Sequence, residues 1–422
     1  MITIGTVLLW LPWASSNGKS LPLIDALFTS TSAVCVTGLI VRDTPAHFSA
    51  FGEIVILLLL QVGGIGILTY TTLFAILMGR RIRYKSLNLF RDTFGTHPER
   101  SIVSLLKWII IFTFTIELIG AILLLPSFMR DASGLKAVYL SVFHSVSAFC
   151  NAGFSLFSDS FISHRGDWLL NFVICSLIII GGIGFPVIAD IFENKRLSKL
   201  SHHSRLVIRV SLWLIVIGWA LIYLFESRID PAFWHMPAHE RLFSTLFQSI
   251  TARTAGFNTL NIAAMTMPAL MVLICLMFIG GSPGGTAGGI KTTTFAVAAK
   301  SAFVFLSGKR TVDLGGRRVS QASQFRAGGL AFLAVILLVF ATILLTALSN
   351  ISLRNAAFEA ASAFGTVGLS TGVTSGLVSG QKWIIILLMF IGRIGPVSLA
   401  LSLGLREKGI LTTRPEVDVL TG

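Results

Sequence analysis

The octapeptide Ala-Phe-Gly-Thr-Val-Gly-Leu-Ser at 363–370 decides how the chain is read, because three weaker copies recur at nearly even spacing. They centre on Gly38 in Cys-Val-Thr-Gly-Leu (35–39), Gly153 in Cys-Asn-Ala-Gly-Phe (150–154) and Gly256 in Arg-Thr-Ala-Gly-Phe (253–257). With Gly368, successive glycines lie 115, 103 and 112 residues apart, which marks a four-fold internal repeat. Each copy follows a short amphipathic segment, at 22–34, 136–149, 240–252 and 352–364. None of these reaches the roughly 20 residues that cross a bilayer. Such a piece must dip in and return, and irregular backbone at membrane depth survives only inside protein or against water. Four of them predict re-entrant loops around a central aqueous path. The opposing reading is that the glycines merely turn the chain between helices.

Composition places these loops in a membrane. The 422 residues are 54% hydrophobic and 12% charged, with a mean hydropathy of +0.82, more apolar surface than a soluble core absorbs. Apolar spans stand at 50–78, 102–125, 168–192, 206–225, 268–305 (long and interrupted), 327–348 and 383–405. The stretch Ile2 to Trp13 is too short to cross unaided, yet it stands where the repeat requires an eighth span, and it reads as the second half of a first helix. A signal peptide is the competing reading, but no basic n-region or small-residue cleavage site supports it. The expectation is an all-α membrane protein of four repeats, each a helix, a pore loop and a helix, around a pseudo-four-fold pore. There are about eight spans, the first one short. The repeats cover 1–79, 80–193, 194–306 (with a broken inner helix) and 307–422, the last including a cytoplasmic tail.

A net charge of +14 invites a nucleic-acid reading, and the placement of the charges excludes it. Of 33 Lys and Arg, 19 fall in three loops and the tail, around 80–100, 195–209, 309–326 and 406–414. The alternate loops hold nine, close to balance with their acids. By the positive-inside rule the basic loops and both termini are cytoplasmic. Cys35, Cys150, Cys175 and Cys275 lack metal-site spacing and read as small packing residues. His202 and His203 lie in a basic loop with no facing carboxylates and read as solvated.

A second periodic signal follows each motif glycine by 24 to 28 residues: Gly63-Gly64-Ile65-Gly66, Gly181-Gly182-Ile183-Gly184, Gly280-Gly281-Ser282-Pro283 and Gly392-Arg393-Ile394-Gly395. The first two are read as sites of close helix packing. The third continues through Gly284, Gly285, Thr286, Ala287, Gly288 and Gly289, and no helix runs through six glycines and a proline in ten residues. The chain is expected to unwind there at mid-membrane and line a cavity. Arg393 is an intramembrane charge that needs a partner, read as pore-facing over snorkelling. Lys291 could reach either the loop or the cytoplasmic interface. Glu117, mid-span, is open between an ion pair and a functional group.

The chemistry follows from electrostatics. A potassium ion stripped of water needs several carbonyl oxygens, and a short extended loop aims them inward only where side chains do not intrude. The candidate ion-binding residues are Val36, Thr37 and Gly38; Asn151, Ala152 and Gly153; Thr254, Ala255 and Gly256; Thr366, Val367 and Gly368. Each short segment precedes its glycine, so a helix there turns its negative carbonyl end toward the ion. The stretch Gly284 to Thr292 fails as a phosphate-binding loop, because Ile290 separates Lys291 from the second glycine and no strand precedes it. No nucleophile constellation suggests an enzyme. An alternating-access symporter is the alternative, with two inverted halves as its expected signature, whereas four parallel copies are present.

At these residues the chain resembles the Trk/Ktr/HKT superfamily of potassium transporters, most closely the bacterial Ktr-type membrane subunit. The likeness covers nearly the whole chain and rests on Thr31 to Leu39, Asn151 to Phe154, Thr251 to Phe257, Gly365 to Leu369, Gly284 to Thr292 and Phe390 to Pro396. It implies potassium uptake across the bacterial cytoplasmic membrane, a homodimer, and a cytosolic nucleotide-binding regulatory subunit under the basic loops. Potassium is then the transported ion, with no organic cofactor in this chain and no nucleic-acid partner; membrane lipid surrounds it. The resemblance further implies that the broken third inner helix gates the pore, with Arg393 close to that loop. Glycine at position 38, where sodium-favouring relatives carry serine, points to potassium. The short amino terminus departs from the family's full first helix, as though the chain were truncated or began at a later Met.

Overall fold

The computed structural model describes residues 1–66, 102–309 and 311–395, and these are overwhelmingly helical. The four short amphipathic segments form α2 (Leu23–Val34), α5 (Leu135–Phe149), α9 (Ala238–Thr251) and α13 (Leu353–Gly365). Each is preceded by a first helix: α1 (Ile2–Trp10), α4 (Ile102–Phe128), α8 (His202–Ile229) and α12 (Gln321–Leu348). Each is followed by an inner helix: α3 (Ala50–Ile65), α6 (Trp168–Ile183) continued by α7 (Phe185–Asn194), α10 (Met267–Phe278) continued by α11 (Thr292–Leu306), and α14 (Ser379–Ile394). The chain is thus four units of first helix, short helix and inner helix.

The burial gradient explains why the short helices are central. Every residue of α13 from Phe358 to Gly365 is buried, as is every residue of α5 from Phe143 to Phe149, although many of them are Ser, Glu or His. The first helices are the reverse. Among the described residues, Ser104–Phe128, His202–Ile229 and Gln321–Leu348 are long and apolar enough to span a bilayer, and within an apolar 18-residue stretch of each only 33%, 22% and 17% is buried. Their exposed residues, such as Leu118, Trp213, Val339 and Phe340, are apolar because the surrounding solvent is lipid. Small residues let the layers meet. A Cβ on Gly120 or Gly218 would strike the hydroxyl of Ser145 or Ser249 on the adjoining short helix.

The inner helices depart from the expected continuous spans. The span at 168–192 is two helices bent by 96°. Gly184 stops α6 with φ 99° and ψ 135°, and Pro186, which lacks an N–H, sits in the first turn of α7 where none is needed. Gly66 (94°, 133°) and Gly395 (84°, 141°) end α3 and α14 in nearly the same conformation. The break read from the sequence as peculiar to the third unit therefore has a shorter counterpart in the second, at Gly184. The second parts of the spans at 50–78 and 383–405, the basic stretches at 80–100 and 406–414, and Pro396 lie outside the described residues.

The stretch Ile2 to Trp13 forms α1 and a following turn, and α1 packs on α2 and α3. Ser30 Oγ donates to Ile2 O at 2.8 Å, as Ser145 Oγ does to Glu117 O and Ser249 Oγ to Ile215 O, so α1 stands where α4 and α8 stand in their units.

Candidate functional site

The four motif glycines close into a ring. A Cβ added to Gly38 would meet Ala152 O and lie 3.1 Å from Gly153 Cα; on Gly153, 2.7 Å from Ala255 O and 3.0 Å from Gly256 Cα. On Gly256 it would meet Val367 O and lie 3.1 Å from Gly368 Cα; on Gly368, Thr37 O and 3.0 Å from Gly38 Cα. Each glycine therefore faces the carbonyl preceding the next unit's glycine, and the fourth returns to the first. No residue with a side chain fits at any of these positions without moving backbone, which is why all four are glycine.

The local conformation is also four-fold. Val36, Asn151, Thr254 and Thr366 have φ of 55°, 56°, 84° and 50°, and the glycines two residues on have 88°, 69°, 82° and 97°. The residues between, Thr37, Ala152, Ala255 and Val367, have no positive φ. A strand of uniform hand sends successive carbonyls to opposite sides; alternating the sign of φ removes that reversal and turns them to one side. Non-glycine residues held in the left-handed region cost about 1–3 kcal/mol each, so surrounding structure must enforce them. The enforcement is visible in the bonds from Thr37 N to Ser32 O, Ala152 N to Ser147 O and Val367 N to Ser362 O, each 2.8 Å. Gly38 N and Gly368 N also donate to the hydroxyls of Ser32 and Ser362 at 3.1 Å. The carbonyls of Thr37, Ala152, Ala255 and Val367 accept no hydrogen bond among the described residues. Around them point the carbonyl ends of α2, α5, α9 and α13, each bringing partial negative charge.

The second set of glycines is packing, as expected for the first two clusters. A Cβ on Gly63, Gly181 or Gly392 would strike the carbonyl of Val34, Phe149 or Phe364, each four residues before its motif glycine. In the third unit Gly280 meets Gly288 O of its own loop instead.

That loop, Gly280 to Gly289, is tied to two other units. Ser282 N donates to Gly182 O at 3.0 Å, Thr286 N to Gly181 O at 3.2 Å, and Phe185 N to Gly284 O at 3.1 Å, all into the second unit. Gly289 N donates to Gly392 O at 3.2 Å in the fourth. A Cβ on Gly288 would collide with the side chain of Thr366, and one on Gly289 would lie 3.3 Å from Gly365 Cα, so the loop passes immediately beside the fourth motif. Pro283 O lies against Gly184, and Ala287 against Gly281. Arg393 reaches this loop: its guanidinium donates to Thr286 O and to Gly63 O, joining the fourth unit to the third and first. Lys291 Nζ turns back to Ala287 O at 2.7 Å.

Several polar groups around the ring carry no signal in the motif reading. Arg253, three residues before Gly256 and 8% exposed, donates to Ser211 O at 3.1 Å and lies 3.5 Å from Gly280 O, linking ring and loop. Glu359 and His144, on α13 and α5, hold the segments that follow the ring. Glu117 accepts from Gln61 Nε2 at 2.9 Å and lies 3.8 Å from Cys150 Sγ; neither partner is a cation. Asp25 is 1% exposed and paired with Arg42 at 2.9 Å and Lys382 at 2.6 Å, fastening the first unit to the fourth. Such pairings leave no local pattern, since Lys382 is 357 residues from Asp25. All four cysteines are unpaired, and Cys35 and Cys150 are buried; no cluster of metal-ligating side chains occurs among the described residues.

Comparison with known proteins agrees with this architecture. A crystal structure of the potassium transporter TrkH from Vibrio parahaemolyticus superposes with a TM-score of 0.73 over 96% of this chain and 84% of that one, at 20% identity. The Ktr system potassium uptake protein B of Bacillus subtilis is 37% identical over 100% of this chain and 94% of its own length. The potassium/sodium uptake protein NtpJ of Enterococcus hirae is 36% identical over 96% and 90%. A family model described as TrkH, cation transport protein, matches residues 1–406. The chain is a helical membrane protein that belongs to the TrkH family of cation transport proteins, a transporter and not an enzyme.

Proposed function

We propose that this chain carries potassium into the bacterial cell through the ring of motif glycines, with the carbonyls there replacing the ion's water. The observation that carries the reading is the closed order of Gly38, Gly153, Gly256 and Gly368, whose intervening carbonyls accept no hydrogen bond among the described residues. A buried carbonyl without a donor is costly unless something binds it, and a cation does so. The converging carbonyl ends of four helices favour a positive charge at the same place. The likeness to potassium uptake proteins supports potassium as the ion.

The loop Gly280 to Gly289 is the gate. It crosses below the ring, is held by hydrogen bonds to two other units, and is latched by Arg393; Lys291 anchors its end. Opening needs only the loss of those bonds, because the glycines offer the backbone alternative conformations. The protein acts as a homodimer in the cytoplasmic membrane, both termini inside. A cytosolic nucleotide-binding subunit docks on its basic loops and moves the gate. The naming of relatives as parts of a Ktr system supports such a regulatory component.

The test is rubidium uptake into proteoliposomes under an imposed gradient, with sodium and a large organic cation as competitors. Uptake blocked by potassium, weakly affected by sodium and indifferent to the organic cation is the expected result. Saturating exchange that reverses with the gradient would instead favour an alternating-access carrier.

A further inference from the structure

The short helices superimpose by their hydrogen bonds, and the register exposes a position the third unit uses differently. The carbonyls of Ser32, Ser147, Thr251 and Ser362 each accept from the N–H preceding the motif glycine. Three residues before them stand Thr29, His144, Gln248 and Glu359, all buried.

In the second and fourth units this residue is a clamp on the segment beyond the ring. Glu359 accepts from Ser370 Oγ at 2.6 Å, Thr371 N at 3.1 Å and Thr374 Oγ1 at 2.7 Å. His144 Nε2 accepts from Leu156 N at 3.2 Å and faces Ser155 Oγ at 3.1 Å, which leaves its proton on Nδ1, bonded to Leu140 O at 2.8 Å. The clamped residues are the second and third after the glycine in both units. In the first unit Thr29 is satisfied within its own helix, by Asp25 O at 2.9 Å.

In the third unit the clamp is missing although its polar groups are present. Gln248 is 0% exposed, and neither its Nε2 nor its Oε1 has a partner among the described residues. Ser244 Oγ and Thr251 Oγ1 are also buried and unpartnered, and the spacing 244, 248, 251 puts all three on one helix face. Arg241 continues that face outward, with Nε and Nη1 unpartnered. The segment that should meet Gln248 bypasses it: Thr259 Oγ1 donates to Ser244 O at 3.4 Å, and Asn258 is held elsewhere. Asn258 N donates to Ser160 Oγ at 3.2 Å and Asn258 O accepts from Phe161 N at 3.0 Å, both in the second unit.

We propose that the Ser244, Gln248 and Thr251 face is a buried water-binding site, and that its waters replace the direct clamp and leave the third loop the most compliant quarter of the ring. The two amide atoms of Gln248, with Ser244 Oγ one turn before and Thr251 Oγ1 one turn after, offer two neighbouring waters the two or more partners each needs. The third loop also differs in shape, being one residue shorter between Thr251 and Gly256 than its counterparts, with Thr254 at φ 84° where they have 50–56°. Gln248 is then a positioning residue for ion selection, a role that rests on the ring being the filter.

The test combines a high-resolution map of the full chain in lipid nanodiscs with the rubidium-to-sodium uptake ratio of Gln248→Leu, using Gly256→Ser as reference and Thr251→Val should the leucine variant not fold. Water density bridging the Gln248 amide, together with a ratio changed by roughly three- to tenfold, the factor worth one hydrogen bond, is expected. A direct bond from Gln248 to Asn258 or Thr259 with no water between them overturns the site. Water present with an unchanged ratio in Gln248→Leu, while Gly256→Ser shifts it, overturns the positioning role and spares the filter. An unchanged ratio in both overturns the filter reading, and the map alone then decides the water site.

Discussion

Substituting one ring glycine by alanine, beside a matched control whose Cβ would stand in open space, isolates what the ring requires. Gly368 and Gly372 both adopt left-handed backbone, at φ 97° and 89°. A Cβ on Gly368 would meet Thr37 O and lie 3.0 Å from Gly38 Cα and 3.2 Å from Gly38 C, whereas one on Gly372 would meet nothing within 4 Å. Both variants bear the backbone strain of about 1–3 kcal/mol. Only Gly368→Ala adds overpacking, a further cost of about 1–3 kcal/mol, and here the obstacle is backbone that cannot swing aside. That difference changes the population of the intact ring by about 5- to 150-fold. Both proteins should therefore lose thermal stability, but only Gly368→Ala should lower the rubidium-to-sodium uptake ratio, by about tenfold. Equal ratios for the two variants, with both well folded, would refute the argument that close approach at the ring sets selectivity.

Three other perturbations probe the parts separately. Gly38→Ser should relax selectivity in the same assay, because the added side chain meets Ala152 O; an unchanged ratio would remove Gly38 from the filter. Arg393→Ala releases two charge-assisted hydrogen bonds, worth about 1.5–3 kcal/mol each, and should raise flux while the protein stays folded. Normal flux in a monodisperse sample would return Arg393 to a structural role. Deleting Gly284 to Gly288 removes the strap between the second and fourth units and should also raise flux, and parental flux would end the gate assignment.

The ring's existence was legible because a four-fold site built from one chain must repeat its own sequence, and glycine is irreplaceable where four backbones converge. The motif glycines and the short helices before them are found from spacing alone, and the structure sets those helices at 23–34, 135–149, 238–251 and 353–365. The break in the second inner helix was less legible. Leu177 to Ala189 is apolar straight through the bend, and hydropathy does not distinguish a straight span from one turned by 96° at Gly184. The long third loop was legible as unwound, since no helix tolerates its glycines, but its attachments to Gly181, Gly182 and Gly392 join residues about 100 apart.

By itself the sequence determined the membrane setting, the four-fold repeat and the positions at which backbone must approach backbone. All of these follow from local composition or from periodicity, which a chain carries wherever it folds. Only the tertiary structure decided the cyclic order of the ring, the two carbonyls that Arg393 bridges, and the replacement of a direct clamp by an unpartnered Gln248 in the third unit. Those depend on which segments meet. In the third segment beyond the ring the backbone of Asn258 takes both its hydrogen bonds from the neighbouring unit, a choice made by competition between contacts that no single stretch of sequence contains.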